Sequence, residues 1–176
     1  MTIISGEVAL ADQFKGALRR LASSVAVVSS ADGSRLIGMT ATAVTSVSLA
    51  PPTLLVCVNR SANLHAAVAR SGCFRVSYLG QAQSHVAAMF GGGVPQDERF
   101  ATSEWRQDPD GPSLVGSLTE FACTLDQAVD CGTHTVFIGR VKNVVDGQDA
   151  SVPLVYWDGR YCEPNVATSM VSAARR

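Results

Sequence analysis

The sequence has few aromatic residues and no excess of charge of either sign. Aromatic residues make up 6% of the 176 positions, and 14 Lys and Arg residues are balanced by 15 Asp and Glu residues. Without a basic excess, the chain is not expected to bind nucleic acid through bulk attraction to phosphates. The few aromatic residues also argue against a surface on which bases stack. With 47% hydrophobic and 16% charged residues, the composition is that of a globular protein.

Long apolar runs and a secretory leader are missing as well. No run approaches the roughly 18 residues of a membrane span, so no membrane association is expected. The first residues, MTIISGEVALADQF, lack a basic segment and are interrupted by Glu7 and Asp12, which is unlike a secretory signal. The five cysteines include no C-x-x-C pair. We therefore expect reduced thiols, buried as small apolar side chains, in a cytoplasmic protein.

The common catalytic motifs are absent too. The sequence contains no G-x-S-x-G elbow, no Walker loop and no G-x-G-x-x-G fingerprint. Its three histidines, His65, His85 and His134, have no metal-ligand spacing, so no metal site is predicted. We expect His65 and His85 to be structural or surface residues.

Three short helices are predicted from periodicity and end signals. Apolar residues recur at helical spacing over Asp12–Ala22, with basic residues on the other side. A second helix is expected to be capped by Ser61 and to end near Gly72, with Leu64, Ala67 and Val68 on one face. The third covers Ser84–Phe90 and is stopped by Gly91-Gly92-Gly93, a triplet that we interpret as a helix stop and a flexible hinge.

Strands dominate the rest of the chain. The predicted strands are Ser24–Ser30, Arg35–Thr40, Thr42–Ser48, Thr53–Asn59, Cys73–Leu79, a strand through Phe121–Val129, Thr135–Val145, Val152–Trp157 and Tyr161-Cys162. Asp32-Gly33, the Cys131–His134 link and Asp158-Gly159 are the expected hairpin turns, and Pro51-Pro52 is expected to end a strand. This pattern predicts a mainly β protein, an antiparallel barrel with a few short helices.

No linker divides the chain, so we expect a single domain over 1–176, with a core of about 12–163 and a tail at 164–176. The segment 91–116 is the longest irregular stretch. Irregular segments of that length are usually functional or disordered.

Two polar stretches could bind a ligand. The stretch from Gly38 to Pro52 carries hydroxyls and no charge, which suits neutral hydrogen bonds to a flat heterocycle or an ordinary Thr-rich edge strand. The stretch Asn59–Asn63 precedes a predicted helix, where amides and the helix dipole can hold a phosphate, or where Ser61 is a plain N-cap. Arg99 could close on the same anion. His134, in a tight turn at a strand end, is either functional or only packs the turn.

Several ordered motifs resemble one family. The segment from Gly38 to Leu64, GMTATAVTSVSLAPPTLLVCVNRSANL, is similar to short-chain flavin reductases. So are FRVSYL at 74–79, ERF at 98–100 and GTHTVFIGRV at 132–141, and the resemblance runs from about Phe14 to Glu163. The family implies a Greek-key split β-barrel that binds FMN or FAD, and a homodimer with flavin sites at the subunit boundary.

The resemblance also implies a set of site residues. The edge of the flavin ring would lie against Thr40, Ala41, Thr42, Ser46, Val47 and Ser48. The ribityl phosphate would lie near Asn59, Ser61, Asn63 and Arg99. His134 would be the catalytic residue on the nicotinamide side. At 133 the chain has Thr where the family has Asp, so a role of that carboxylate in orienting the imidazole or selecting the nucleotide is not expected here, while His134 itself matches the family.

The implied function is an NAD(P)H:flavin oxidoreductase that passes hydride from nicotinamide C4 to flavin N5 and supplies reduced flavin to a separate oxygenase. NADH is favoured over NADPH because the sequence shows no obvious pair of arginines that could bind the 2′-phosphate of NADPH. One alternative is a non-catalytic flavin- or haem-binding barrel that acts as a carrier or sensor. Another is an oxidase of the pyridoxine-phosphate kind, against which the lack of a basic cluster counts.

Overall fold

The computed structural model describes residues 3–102, 104–108, 111–147 and 152–164, and side chains from residue 8 onward. The three α-helices are α1 (Ile3–Leu18), α2 (Asn63–Ser71) and α3 (Ser84–Gly91), the last preceded by a 3₁₀ turn at Gln81–Gln83. The strands are β1 (Ser23–Ser24), β2 (Ala26–Asp32), β3 (Arg35–Ala41), β4 (Val44–Leu49), β5 (Pro52–Asn59), β6 (Cys73–Tyr78), β7 (Trp105–Arg106), β8 (Ser113–Leu114), β9 (Thr119–Cys131), β10 (His134–Asp146), β11 (Val155–Trp157) and β12 (Arg160–Cys162).

Seven strands form one antiparallel sheet in the order β3-β2-β6-β9-β10-β5-β4. Its edges are β3 and β4, which follow each other in the chain but do not pair within the described residues. The sheet is therefore not closed by hydrogen bonds. A second sheet, β1-β11-β12, and the pair β7-β8 complete the β structure. The prediction of a mainly β fold with short helices is confirmed.

Strand β2 is buried on both faces because it separates two apolar cores. Ala26 and Val28 face a core that includes Phe74 and Phe137 and is covered by α2. Val27 faces the other core, which contains residues of α3 and of the irregular segment 91–116. Alternate side chains of a strand point to opposite faces, so one strand positions both helices.

Tight turns set the register of the hairpins. The β2–β3 turn uses Gly33-Ser34, one residue later than predicted, since Asp32 pairs with Arg35. Gly33 has a φ of +62°, which suits the first central position of a type II′ turn. At the β11–β12 turn, Asp158 and Gly159 both have positive φ, as in a type I′ turn.

Three predicted elements differ from the structure. The first helix is α1, Ile3–Leu18, rather than Asp12–Ala22, and its apolar Phe14 and Leu18 are 64% and 48% exposed. Ser61 does not cap α2, because the N-cap is Ala62, which makes no side-chain capping bond. Strand β11 begins at Val155 rather than at Val152, and before it Pro153 forms only an isolated bridge with Gly80. By contrast, Gly72 ends α2 with φ +68°, as predicted.

The cysteines are free thiols, as expected, but they are not all buried. Cys123 is buried, and that burial raises the pKa of its thiol to about 12. Cys131 is exposed, so the prediction of a buried apolar role is wrong for it. Cys131 lies at the turn end of the β9–β10 hairpin, where two long strands extend beyond the core and leave their side chains in solvent.

Within the described residues, no helix is both long enough and apolar enough to cross a bilayer. The predicted tail, 164–176, lies outside the described residues apart from Pro164.

Candidate active site

A cavity of about 280 Å³ lies between the start of α2, strand β3 and the segment that follows α3. Its lining includes four residues of the predicted site, Thr40, Ser61, Asn63 and Arg99. These residues come from three separate parts of the chain: strand β3, the start of α2 and the segment after α3. The structure thus brings together most of the residues that the resemblance placed around a phosphate.

Arg99 lies in the cavity wall and also holds the segment 94–99 in place. Its Nε donates to the Val94 carbonyl at 2.9 Å, and its Nη1 donates to the carbonyls of Gly38 at 3.0 Å and Phe90 at 3.3 Å. All three acceptors are neutral, and among the described residues no carboxylate pairs with this guanidinium. Nη2 has no partner among those residues. Within the described part of the chain, Arg99 therefore has no compensating carboxylate and leaves the two N–H donors of Nη2 without a partner.

Gly38 permits this close packing. A Cβ at Gly38 would lie 2.7 Å from Cε1 of Phe90 and 3.0 Å from Cζ of Phe100. Its carbonyl accepts a second bond, from the Gln96 side chain at 2.9 Å. Gly38 and Gln96 both line the cavity, and sequence reasoning assigned neither of them to the site. Gly38 begins the segment from Gly38 to Leu64 that resembles the flavin reductases, and this position was the signal in the sequence that could have placed it at the site.

The start of α2 supplies the opposite wall. The Oδ1 of Asn59 accepts bonds from the backbone N of Ser61 at 2.9 Å and from its Oγ at 2.8 Å. This turn fixes the loop that precedes α2 and leaves the lone pairs of the Ser61 hydroxyl available. The loop and the helix start line the cavity, and a helix start favours an anion through its free amides and dipole.

The lining fits a flavin phosphate. It combines one arginine, hydroxyl and amide side chains and a helix start, with no Asp or Glu among the described lining residues. A volume of 280 Å³ is just below the roughly 300 Å³ at which pockets for whole drug-sized ligands begin. The cavity could therefore hold the phosphate end of a flavin, and the ring would extend beyond it.

Of the residues predicted for the ring edge, Thr40 lines this cavity and the other five do not. Ala41 is buried, and Thr42 lines a separate groove of about 500 Å³ between α1 and the β11–β12 hairpin. Ser46 and Val47 lie exposed on the edge strand β4, where Val47 forms a bulge. Ser48 is half-buried, and its hydroxyl accepts a hydrogen bond from the Ala50 amide at 3.1 Å.

The β5 register shows how far apart the two ends are. Ser46 pairs with Leu54 on β5, five residues from Asn59 at the end of that strand. At about 3.4 Å per residue, Ser46 of the predicted ring edge and Asn59 of the predicted phosphate site are separated by about 17 Å along β5.

His134 is the first residue of β10 and is exposed. It pairs across the sheet with Asn59, which places it beside the loop that enters the cavity. Its Nδ1 lies 2.9 Å from the Oγ1 of Thr133. A hydroxyl therefore contacts the imidazole from position 133.

The other histidines have the structural or surface positions expected: His65 contacts Thr135 at 2.9 Å, and the exposed His85 pairs with Glu104 at 3.1 Å. No metal-ligand cluster occurs among the described residues.

Sequence reasoning missed a buried polar centre below the other end of the segment 91–116. Arg75 is fully buried and contacts Glu120 at 3.0 Å and Asp108 at 2.7 Å. Glu120 also accepts bonds from Ser77, Ser113 and the Leu114 amide. These groups lie up to 45 residues apart, and no local pattern in the sequence pairs them.

Comparisons with known proteins agree with this architecture. The family model described as "Flavin reductase like domain" matches residues 18–165. A relative from Methylorubrum extorquens named "FMN reductase (NADH) RutF" is 40% identical over 149 residues, which cover 84% of this chain and 72% of the relative.

Two solved structures are also similar. The styrene monooxygenase flavin reductase from Pseudomonas putida S12 has a TM-score of 0.78 at 30% identity, covering 88% of this chain and 98% of that one. The Streptomyces globisporus NADH:FAD oxidoreductase SgcE6, in complex with NAD and FAD fragments, has a TM-score of 0.82 at 28% identity, covering 89% and 94%. The predicted resemblance is confirmed: this chain belongs to the flavin reductase-like domain family.

Proposed function

We propose that this chain is an NADH-dependent flavin reductase that supplies reduced flavin to a separate oxygenase. The enzyme class and the two nucleotides, NADH and a flavin, agree with the names of the relatives. The observation that carries the proposal at the site is the cavity in which Arg99 lies opposite the start of α2, with two donors that have no partner among the residues the structure describes.

The phosphate end of the flavin is assigned to this cavity. Arg99 and Ser61 would hold the phosphate, with Asn63 and Thr40 as neighbouring polar groups. When bound, the flavin supplies an electron sink for the hydride of NADH, and the protein needs no nucleophile of its own. The contribution of the chain is to orient the two nucleotides and to exclude wrong geometries. FMN is the proposed flavin because the M. extorquens relative is named for it.

His134 is assigned to the nicotinamide side. It is exposed, stands across from Asn59 and has its ring held by Thr133. An imidazole there can donate to the carboxamide without taking part in proton transfer to the flavin. We expect His134→Ala to raise the KM for NADH about tenfold and to leave the Kd for FMN unchanged, because it removes orientation rather than flavin contacts. A melting curve beside stopped-flow flavin reduction distinguishes this from a packing role, which would lower the Tm and leave the kinetics intact.

A homodimer is proposed to cover the ring end. The predicted ring-edge residues lie on β4, whose Val47 and Leu49 are 51% and 89% exposed. Helix α1 likewise exposes a row of apolar side chains: Val8, Leu10, Phe14 and Leu18. Exposed apolar surface of this kind marks an interaction site in a folded protein. Light scattering coupled to size exclusion should give twice the mass of the 176-residue chain, and a monomer would contradict this assignment.

The central experiment measures NADH oxidation by the purified chain with FMN or FAD, and repeats it with NADPH. Turnover that depends on added flavin and prefers NADH supports the proposal. Flavin binding without nucleotide oxidation would instead indicate the carrier or sensor alternative. A second assay adds a flavin-dependent oxygenase across a dialysis membrane, where product formation shows that reduced flavin is released.

Free thiols fit a reducing compartment, so the proposed location is the cytosol.

A further inference from the structure

We propose that Arg60 is a positioning residue that clamps the turn carrying His134 to the loop at the start of α2. Arg60 lies between Asn59 and Ser61, at the phosphate end of the proposed site. Its effect on NADH rests on the proposed function, whereas its effect on the turn can be measured without any ligand.

The contacts of Arg60 are directed at the turn. Its backbone N donates to the Thr133 carbonyl at 3.0 Å, and its Nη2 donates to the Gly132 carbonyl at 2.5 Å. Its Nη1 lies 3.8 Å from the Oδ2 of Asp130, just before the turn. One residue thus binds both carbonyls of the two-residue loop and a carboxylate beside it.

Side-chain packing gives this turn little support. Gly132 has a φ of +58° and starts the two-residue connection between β9 and β10. Gly132, Thr133 and His134 are all exposed, so no apolar packing fixes them. Hydrogen bonds from a charged donor to neutral carbonyls are stronger than neutral ones, and the planar guanidinium offers several in a fixed fork.

A second layer holds the carboxylate. The Oγ1 of Thr135 donates to the Oδ1 of Asp130 at 2.7 Å. Because the single hydroxyl proton of Thr135 goes to Asp130, the Nε2 of His65 must donate to the same oxygen, at 2.9 Å. His65 belongs to α2, so a continuous chain of contacts runs from α2 through β10 and Asp130 to Arg60 and the turn. Thr135 is only 2% exposed and cannot touch a ligand.

This arrangement couples the two nucleotide-binding regions. The loop that Arg60 belongs to lines the phosphate cavity through Ser61, and the turn that Arg60 clamps carries His134. Asp130 partly compensates the charge of Arg60, whereas Arg99 has no carboxylate partner among the described residues. The geometry therefore separates an arginine that binds the anion from an arginine that holds the turn.

The test compares Arg60→Ala and Arg60→Lys with a matched control, Arg70→Ala. Arg70 is another exposed arginine with a carboxylate partner, Asp32 at 2.6 Å, but it lies at the opposite end of α2. The ligand-free readout is the ring ¹⁵N resonances of His134, which report its tautomer. The functional readouts are the KM for NADH, kcat, and the Kd values for FMN and riboflavin.

Both Arg60 variants are expected to shift the His134 resonances and to raise the KM for NADH about tenfold, with FMN affinity changed less than about threefold. Arg60→Lys should resemble Arg60→Ala, because a lysine keeps the charge but cannot present the fork. Arg70→Ala should match the wild type in every readout. Thr135→Val should produce part of the change in the His134 resonances. Thr135→Ser keeps the hydroxyl and should therefore retain the wild-type values.

Two results would overturn the proposal. One is wild-type His134 resonances and NADH kinetics in a folded Arg60→Ala protein. The other is a selective loss of FMN over riboflavin in Arg60→Ala that Arg60→Lys rescues, which would make Arg60 a direct phosphate ligand. Should the wild type reduce no flavin with NADH, the proposed function fails, and the His134 resonances still decide whether the clamp exists.

Discussion

The segment 91–116 is held by an arginine at each end, and the two arginines differ in what surrounds them. Arg75 is fully buried and pairs with Glu120 and Asp108. Arg99 is half-buried, binds only neutral carbonyls and leaves Nη2 without a partner among the described residues. One end of the segment is therefore electrically compensated, and the other carries an available positive charge beside a cavity.

This difference shows which charged side chains of a fold remain able to bind a ligand. A buried charge must be paired, since removing it from water without a partner is very costly. Arg75 is accordingly paired through both of its terminal nitrogens, and its Nε, which has no hydrogen-bond partner among the described residues, is buried out of a ligand's reach. Arg99 can remain without a carboxylate because the cavity leaves it in contact with solvent. The predictions below test this contrast, from the larger expected effect to the smaller.

The largest effect is expected from breaking the compensated end. Glu120→Ala removes the carboxylate that Arg75, Ser77 and Ser113 all contact. Breaking a buried ion pair by removing one partner costs about 3–5 kcal/mol, so urea unfolding should show a loss of that size. The matched control is Asp32→Ala, which breaks the solvent-screened pair with Arg70 and should cost much less stability. Equal losses in both variants would contradict the contrast between buried and exposed pairs.

A smaller but more selective effect is expected at the open end. Arg99→Ala removes a charge-assisted contact worth about 1.5–3 kcal/mol, so FMN or FAD should bind roughly tenfold to a hundredfold more weakly. The sequence alone predicts that riboflavin binding is nearly unaffected. Because Arg99 also holds the carbonyls of Val94, Gly38 and Phe90, a loss of a few-fold for riboflavin is expected as well.

Gln96→Ala is the control for this loosening of the segment. Gln96 donates to the same Gly38 carbonyl from the same segment but carries no charge. It should weaken FMN and riboflavin equally and by only a few-fold, as measured by fluorescence titration. If Arg99→Ala also weakens both flavins equally, Arg99 holds the segment and not the phosphate.

Local signals in the sequence were enough for most of the fold. Alternating and apolar runs predicted β2, β3, β5, β6, β9 and β10, and Gly72 correctly marked the end of α2. The extent of α1 was not predictable, because its apolar residues are exposed in the single chain and periodicity does not show what covers them. The Asp32-Gly33 turn was misplaced by one residue because both Gly33-Ser34 and Asp32-Gly33 are acceptable hairpin pairs.

The site was partly predictable for a different reason. Thr40, Ser61, Asn63 and Arg99 came from ordered motifs, and the structure places all four around one cavity. The pairing of Arg75 with Glu120 and the clamp made by Arg60 depend on residues 45 and 72 positions apart. Such contacts are set by the strand order of the sheet, which spacing along the chain does not reveal.

The smallest effect is expected at Ser46, outside the cavity. Ser46 is exposed on the edge strand β4, about 17 Å along β5 from the phosphate end. Its hydroxyl has no hydrogen-bond partner among the described residues, so Ser46→Ala should leave the Tm unchanged. If the flavin ring reaches β4, the lost neutral bond of roughly 1 kcal/mol should raise the KM for FMN by several-fold and affect riboflavin equally. This equal effect is the opposite of that expected for Arg99→Ala, because the ring is common to both flavins and the phosphate is not. Measured side by side, the two variants locate the two ends of the ligand. An unchanged KM for both flavins in Ser46→Ala would mean that the ring lies elsewhere than along β4.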